Sequence, residues 1–183
     1  MARFPYLTED DVAEEHRVLL SRGINLGKLY AHSPVGGRRL ARVGGWIRNE
    51  CELDPRLREL AILQVGFTTQ TEYEWSHHIK IGKDFGVTDD DIRAIYEESA
   101  GEESGLDELA RFVLRAAREM TRDVKMTDAT FGFLSERLGN QGVMELIMVV
   151  SYYNSVVRFL QSTDIDVEDE YLIYLRQFPL PAE

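Results

Sequence analysis

The sequence is poor in cysteine and in positive charge. It contains a single cysteine, Cys51, which excludes an intrachain disulfide, a Cys-x-x-Cys pair and a cysteine zinc cluster. Its 21 Lys and Arg residues are outnumbered by 32 Asp and Glu residues, and the net charge is −11. Nucleic acids and anionic membranes bind clustered basic residues, so we expect neither as a partner. The lone thiol fits a reducing, cytoplasmic setting.

Several familiar motifs are also missing. The chain has no G-x-S-x-G, P-loop, G-x-G-x-x-G or H-E-x-x-H sequence, and hence no signature of a serine hydrolase, nucleotide-binding protein or zinc protease. The first letters, MARFPYLTEDD, turn acidic before an apolar run develops, so we expect no secretory signal. The run GVMELIMVVSYYNSVVRFL is interrupted by Glu145, Asn154 and Arg158, which predicts a core or interface helix and not a membrane span.

What is present is dominated by helix signals. Cap residues stand before proline at Ser33-Pro34 and Asp54-Pro55, glycines follow the periodic segments, and no stretch alternates with the period of a strand. The length of 183 residues predicts one domain over 1–183. We therefore predict an all-α fold with helices over 8–22, 34–48, 55–69, 72–85, 89–99, 105–123, 128–138 and 141–162.

Glu59 is the first candidate functional residue. A helical wheel of residues 55–69 surrounds its side chain with apolar neighbours, which predicts that the carboxyl is buried. A buried carboxyl must find partners or hold a proton. Two interpretations are open: an acid–base role, or a structural carboxyl satisfied by backbone N–H groups or by Arg56 or Arg58.

The segment TEYEWSHH, residues 71–78, holds the next candidates. On a helix over 72–85, His78 lies near the apolar face, His77 points roughly the opposite way to solvent, and Glu74 lies one turn before His78. This divergence argues against a zinc site that uses both histidines. Thr71 and Glu74 also have the spacing of a capping box, which would give Glu74 only a structural role.

Glu59, Glu74 and His78 are thus predicted on the inner faces of two consecutive helices. An acid and base cluster in apolar surroundings is typical of a site tuned for proton transfer, although a lone inward histidine is more often a satisfied core residue. Cys51 lies in the loop NECELDP with no adjacent base, so we expect an incidental thiol.

At this point the sequence resembles a known family. The run DPRLRELAILQVGFTTQTEYEWSHHIKIGKDFGVTDDDIRAI is similar to the carboxymuconolactone decarboxylase family, which includes the alkylhydroperoxidase D proteins. The later run ELIMVVSYYNSVVRFL resembles that family's second pocket helix, so the resemblance spans roughly residues 30–165. It implies an all-α fold of the alkylhydroperoxidase D type, assembled as a trimer or hexamer.

The two branches of that family have different sequence motifs, and this chain matches them to different extents. In the hydroperoxidase branch, the matching Glu and His are Glu59 and His78, but the two cysteine positions fall on Thr71 and Glu74. Without a thiolate and a resolving thiol, the peroxidase cycle cannot run. The decarboxylase branch has a pattern similar to E-x-E-x-x-x-H, which Glu72, Glu74 and His78 match.

The resemblance implies a cofactor-free lyase or isomerase acting on a small unsaturated organic acid or lactone. Its predicted catalytic residues are Glu59, Glu74 and His78, and its predicted substrate-binding residues are Glu72, Trp75, Tyr152 and Arg158. Arg42 and Arg48 join Arg158 as candidate cations for a substrate carboxylate. The alternative is a non-catalytic, oligomeric ligand-binding or stress-associated protein. The apolar tail DEYLIYLRQFPLPAE is expected to pack on its own core or on a neighbouring subunit.

Overall fold

The structure is a computed structural model that describes residues 1–181, and within them it is entirely helical, as the sequence predicts. Three short 3₁₀ helices cover Glu9–Asp11, Glu14–Leu19 and Asp169–Tyr171. The α-helices are α1 (Asn25–Tyr30), α2 (Pro34–Asn49), α3 (Pro55–Thr68), α4 (Glu72–Asp84), α5 (Asp89–Ala100), α6 (Glu108–Arg122), α7 (Asp128–Thr163) and α8 (Leu172–Gln177).

The predicted cap residues explain where most helices begin and end. Asp54 accepts a hydrogen bond from the Leu57 N–H at the start of α3. Pro55 suits the first position of the helix, because proline has no backbone N–H that would need a partner there. Thr88 and Asp91 form a reciprocal capping box at α5. The predicted helices over 34–48, 55–69, 72–85, 89–99 and 105–123 correspond to α2 to α6 within a few residues.

The prediction of an α-helix at the N-terminus is wrong, because the helices there are of the 3₁₀ type. The predicted α-helix over 8–22 is two 3₁₀ helices separated by Val12, whose backbone is extended (φ −125°, ψ 130°). The buried Val12 side chain packs in a small second cluster with Leu19, Tyr30 and Ala31. The prediction also missed α1 and α8, because helices of six residues are not stable alone and depend on tertiary packing.

α7 is interrupted at Gly139, whose φ of 67° and ψ of 177° are not helical. This break agrees with the two predicted helices, 128–138 and 141–162, on either side of it. α7 is long and apolar enough to cross a membrane, but half of its most apolar window is buried within the protein, where it packs against α3 and α6. Core helices of soluble proteins have the same length and composition.

α3 runs through the centre of the fold and packs against α4, α6 and α7. Two glycines allow α4 to approach it closely. A Cβ atom at Gly66 of α3 would lie only 3.2 Å from the Trp75 nitrogen of α4, and one at Gly82 of α4 would lie 3.5 Å from the Cβ of Glu59. This close packing brings the carboxylates and histidine of α3 and α4 together.

The C-terminal segment packs on its own chain, which is one of the two outcomes expected for the tail. α8 contacts α4, and the Trp75 indole Nε1–H donates a 2.8 Å hydrogen bond to the Phe178 carbonyl. Tyr171 and Phe178 are buried. The last two residues of the tail, 182 and 183, lie outside the described part of the chain.

Candidate active site

A cavity of about 270 Å³ lies between the N-terminal segment, α2, α4 and α7. Its walls combine apolar side chains with aromatic and ionisable ones. The ionisable residues on the walls include Arg22, Arg48, Glu74, His77, His78 and Tyr153. Glu59 lies behind His78 and contacts it directly.

Glu59 and His78 form a buried dyad, with only 2% and 6% of their surfaces exposed. The distance between His78 Nδ1 and Glu59 Oε2 is 2.7 Å, and Arg58 Nε donates to the other carboxyl oxygen at 3.2 Å. Burial alone would raise the pKa of Glu59, but His78 and then Arg58 lower it below its ordinary value. Glu59 is therefore a carboxylate, and it accepts the Nδ1–H of His78.

Glu74 lies on the other side of the same imidazole. Its Oε1 atom is 3.1 Å from His78 Nε2, but it makes no hydrogen bond within residues 1–181, so the contact is out of line with the ring nitrogen. Complete burial raises the pKa of Glu74 to about 7, against the opposing charges of His78 and Arg48. This carboxyl can therefore gain or lose a proton near neutral pH.

The capping-box interpretation of Glu74 does not hold. The Thr71 side chain makes no capping hydrogen bond to α4, and its Oγ1 lies 2.9 Å from Thr69 Oγ1. The Glu74 carboxyl faces the cavity. For Glu59, the hydrogen bond from Arg58 is one that the structural interpretation predicted, and the contact with His78 is consistent with the acid–base interpretation.

Tyr153 supplies a phenol beside the dyad. Its ring meets the His78 ring edge to face, with centroids 4.9 Å apart. Burial and the nearby carboxyls raise the pKa of Tyr153 far above its ordinary value, so the hydroxyl remains protonated. Within the described residues this hydroxyl has no hydrogen-bond partner, whereas the neighbouring Tyr152 hydroxyl donates to the Leu40 carbonyl at 2.9 Å. Tyr152 lines the cavity as predicted, but Tyr153 is the tyrosine with a free hydroxyl.

Three predicted substrate-binding residues lie outside this cavity. Trp75 is fully buried in the core. Glu72 is exposed, because it lies two residues before the buried Glu74 and its side chain points about 200° away from that of Glu74. Arg158 is exposed and donates to the carbonyl and side chain of Asn154. Arg42 also lies outside the cavity, so Arg48 is the one predicted cation that reaches it.

His77 is not exposed to solvent, in contrast to the sequence prediction. Only 4% of its surface is accessible, and its ring stacks between Tyr73 and Tyr171 with centroid distances of 4.0 and 3.6 Å. Its Nε2–H donates to Glu168 at 2.8 Å, and burial lowers the pKa of His77. The wheel of α4 alone could not show that the C-terminal segment covers this side of the helix.

Cys51 lies apart from the cavity. Its thiol donates to Glu145 at 3.3 Å, and burial raises the pKa of the thiol to about 11. It is therefore protonated at neutral pH and is a poor nucleophile. Among residues 1–181, no group of three His, Cys, Asp or Glu side chains is arranged to hold a metal ion.

Sequence reasoning missed Arg22 and Tyr153. Arg22 lies in the short segment between a 3₁₀ helix and α1, where no motif marks it. The burial of Tyr153 could have been predicted from the sequence, because Tyr153 shares one helical face with the apolar residues Val149, Val156 and Leu160, which are buried. That periodicity places Tyr153 further inside than Tyr152.

Comparisons with known proteins agree with this architecture. The Carboxymuconolactone decarboxylase family pattern matches residues 37–119. A search of curated proteins found no match. Among solved structures, the debrominase Bmp8, crystallised as a cysteine-to-alanine variant with 2,3,4-tribromopyrrole, aligns with a TM-score of 0.80 and 14% identity over 97% of this chain and 100% of that one.

A second solved structure is an uncharacterized peroxidase-related protein with an alkylhydroperoxidase AhpD core from Ralstonia eutropha JMP134. It aligns with a TM-score of 0.78 and 14% identity over 95% of each chain. At this identity the likeness concerns the fold. Residues 37–119 of the chain are thus similar to the carboxymuconolactone decarboxylase family, and the chain has the alkylhydroperoxidase D-like helical fold without a pair of redox cysteines.

Proposed function

We propose that the protein is a cofactor-free lyase or isomerase that transfers protons to and from a small unsaturated organic acid or lactone. The observation that carries the proposal is the position of one buried histidine between two carboxyl groups at a cavity wall: His78 Nδ1 bonds Glu59, and His78 Nε2 lies 3.1 Å from Glu74 Oε1. Such an arrangement of acid and base groups is suited to proton transfer.

Glu59 fixes the tautomer of the histidine. Because the carboxylate accepts the Nδ1–H, Nε2 is the nitrogen that takes or gives a proton in the cavity. Glu74, with a pKa of about 7, exchanges that proton with Nε2. Arg58 stabilises the Glu59 anion from the opposite side.

The chemistry needs no external oxidant or reductant. In the decarboxylation of a conjugated acid, the bond to the departing carboxylate breaks, carbon dioxide leaves, and the electron pair moves into the unsaturated carbonyl system. His78 then delivers one proton to carbon and recovers one through Glu74. The Tyr153 hydroxyl donates a hydrogen bond to the carbonyl oxygen on which negative charge develops.

Two features favour this proposal over the alternatives. The positions of a peroxidase cysteine pair are Thr71 and Glu74, so a thiol cycle has no nucleophile there. A non-catalytic ligand-binding protein would tolerate Glu74 in a capping box, but the carboxyl instead faces His78 and the cavity.

The test is a screen of unsaturated acids and lactones for carbon dioxide release and for proton exchange in deuterated water. We expect the wild-type protein to catalyse exchange into at least one compound, and His78→Gln to be slower by about 100-fold or more. Glu72→Gln is the matched control, because this exposed residue of the same helix lies outside the cavity. Equal rates for wild type and His78→Gln would contradict the proposal.

A further inference from the structure

Two arginines face the cavity without a partner. Arg22 and Arg48 both line it, and neither guanidinium group makes a hydrogen bond or an ion pair within residues 1–181. Acidic residues outnumber basic ones by 32 to 21 in this chain, and other arginines, such as Arg56 and Arg111, bond carboxylates. The two cavity arginines therefore remain uncompensated in a protein with an excess of carboxylates.

Both arginines line the cavity that Glu74 and His78 also line. Arg48, which is partly buried on α2, is near enough to Glu74 for its charge to lower the pKa of that carboxyl. Arg22 lines the cavity together with Tyr73 and Tyr153. Arg22 is itself exposed, and it lines the same cavity as Arg48. Partial desolvation, and then the charge of Arg48, lower the pKa of Arg22.

We propose that Arg22 and Arg48 form an anion subsite that binds a carboxylate group of the ligand, and that Arg22 determines specificity. A guanidinium group matches a carboxylate with two parallel hydrogen bonds. Two cations that face one cavity repel each other, and a bound anion relieves this repulsion. The subsite rests on the proposed function in that the carboxylate belongs to the acid that meets His78.

The two arginines come from different parts of the chain. Arg48 lies within residues 37–119, the segment that matches the family, whereas Arg22 precedes it. Arg22 is held at the cavity by the short 3₁₀ helix Glu14–Leu19 and by α1. The N-terminal segment thus adds a second cation to the one that α2 provides, and it strengthens the preference for acids over neutral ligands.

The test measures binding, so it requires no turnover. The probes are sorbate and cinnamate, with their methyl esters as neutral counterparts, titrated by calorimetry into wild type, Arg22→Gln, Arg48→Gln and the double variant. We expect the wild-type protein to bind the acids about tenfold or more tightly than the esters. Each single variant should lose about tenfold in acid affinity and little in ester affinity, and Arg22→Lys should recover part of the loss.

Arg158→Gln is the matched control, because that exposed arginine lies outside the cavity and should leave all four affinities unchanged. Circular dichroism establishes that each variant is folded. The inference is overturned if the double variant binds the acids as tightly as wild type, or if wild type binds neither acid at millimolar concentration. Arginine-dependent binding without any proton exchange would retain the subsite and refute the proposed reaction.

Discussion

His77 and His78 are adjacent in sequence, but they have different partners in the structure. His78 lies between two carboxyls at the cavity, whereas His77 is stacked between two tyrosines and bonds Glu168. We expect His78→Gln to abolish proton exchange while costing only about 1–2 kcal/mol in the free energy of unfolding, because glutamine keeps a hydrogen bond to Glu59. Urea unfolding and deuterium exchange measure the two effects.

His77→Gln is the matched variant. It should lower the free energy of unfolding by about 1–3 kcal/mol, since the rings of Tyr73 and Tyr171 lose their stacking partner. It should still exchange protons. An active His78→Gln protein, or a stable but inactive His77→Gln protein, would show that the catalytic role belongs to the other histidine.

Glu74 predicts a pH dependence of stability. Its pKa is about 7 in the folded protein against an ordinary 4.5, so between these values the folded state holds more protons than the unfolded state. The contribution of Glu74 is therefore most favourable below pH 4.5, and it declines as the pH rises to about 7, by roughly 3 kcal/mol in total.

Glu74→Gln removes this titration. Urea unfolding of both proteins at several pH values should show that the stability of the variant, relative to wild type, increases from pH 5 to pH 8. A constant difference between the two proteins would mean that Glu74 titrates normally and has no tuned pKa.

The sequence could predict Glu59, Glu74 and His78 because each lies on the apolar side of its own helix, where local periodicity is sufficient. It could not predict that His77 is buried, since the residues that cover it lie about 90 positions further along the chain. Arg22 was missed for a different reason: it lies in an irregular segment, where no periodic pattern predicts the direction of a side chain.

Among the secondary-structure elements, α2 to α7 were predictable from caps, proline positions and glycines. The ends of the chain were not. The segment 8–22 has a helical cap signal at Thr8, but Val12 is buried in an extended conformation, and this tertiary contact overrides the local preference. α1 and α8 have six residues each, which is too short for a reliable periodic signal.

Glu168, at the start of the 3₁₀ helix Asp169–Tyr171, connects the C-terminal segment to α1 and α4. It accepts hydrogen bonds from the Asn25 N–H at α1 and from Tyr73 and His77 of α4. We expect Glu168→Ala to lower the free energy of unfolding by about 2–4 kcal/mol, because it leaves buried donors unpaired. It should also increase hydrogen exchange in α1.

Glu170→Ala is the control, because this neighbouring carboxylate is exposed and has no hydrogen bond or ion pair within residues 1–181. It should change stability by less than about 0.5 kcal/mol. Equal exchange rates in α1 for Glu168→Ala and wild type would refute the role of Glu168 in holding α1 against α4.

The whole molecule exposes apolar side chains on α2 and on the part of α7 after Gly139. These two helices are joined by the Tyr152 hydrogen bond to Leu40. The exposed residues are Val35, Leu40, Val43, Met144 and Met148. Exposed apolar side chains on neighbouring helices are common at protein interfaces, and we propose that these are buried between copies of the chain in a trimer or hexamer.

Light scattering should therefore find an oligomer at micromolar concentration, and Met148→Glu should weaken it by placing a charge in the interface. Phe131→Glu is the control, since Phe131 is similarly exposed but lies before the break at Gly139. A wild-type monomer would contradict the proposed assembly.

The contacts of Glu168 also bear on the order of folding. Its hydrogen-bond partners Asn25, Tyr73 and His77 lie 143, 95 and 91 positions away in the sequence. Contacts between such distant residues carry a high entropic cost of loop closure, which is offset only after α3, α4, α6 and α7 have packed. We therefore expect the contacts of Glu168 beside the candidate site to form late in folding, after the core that supports them. The recovery of ligand affinity during refolding would then be slower than the formation of helices.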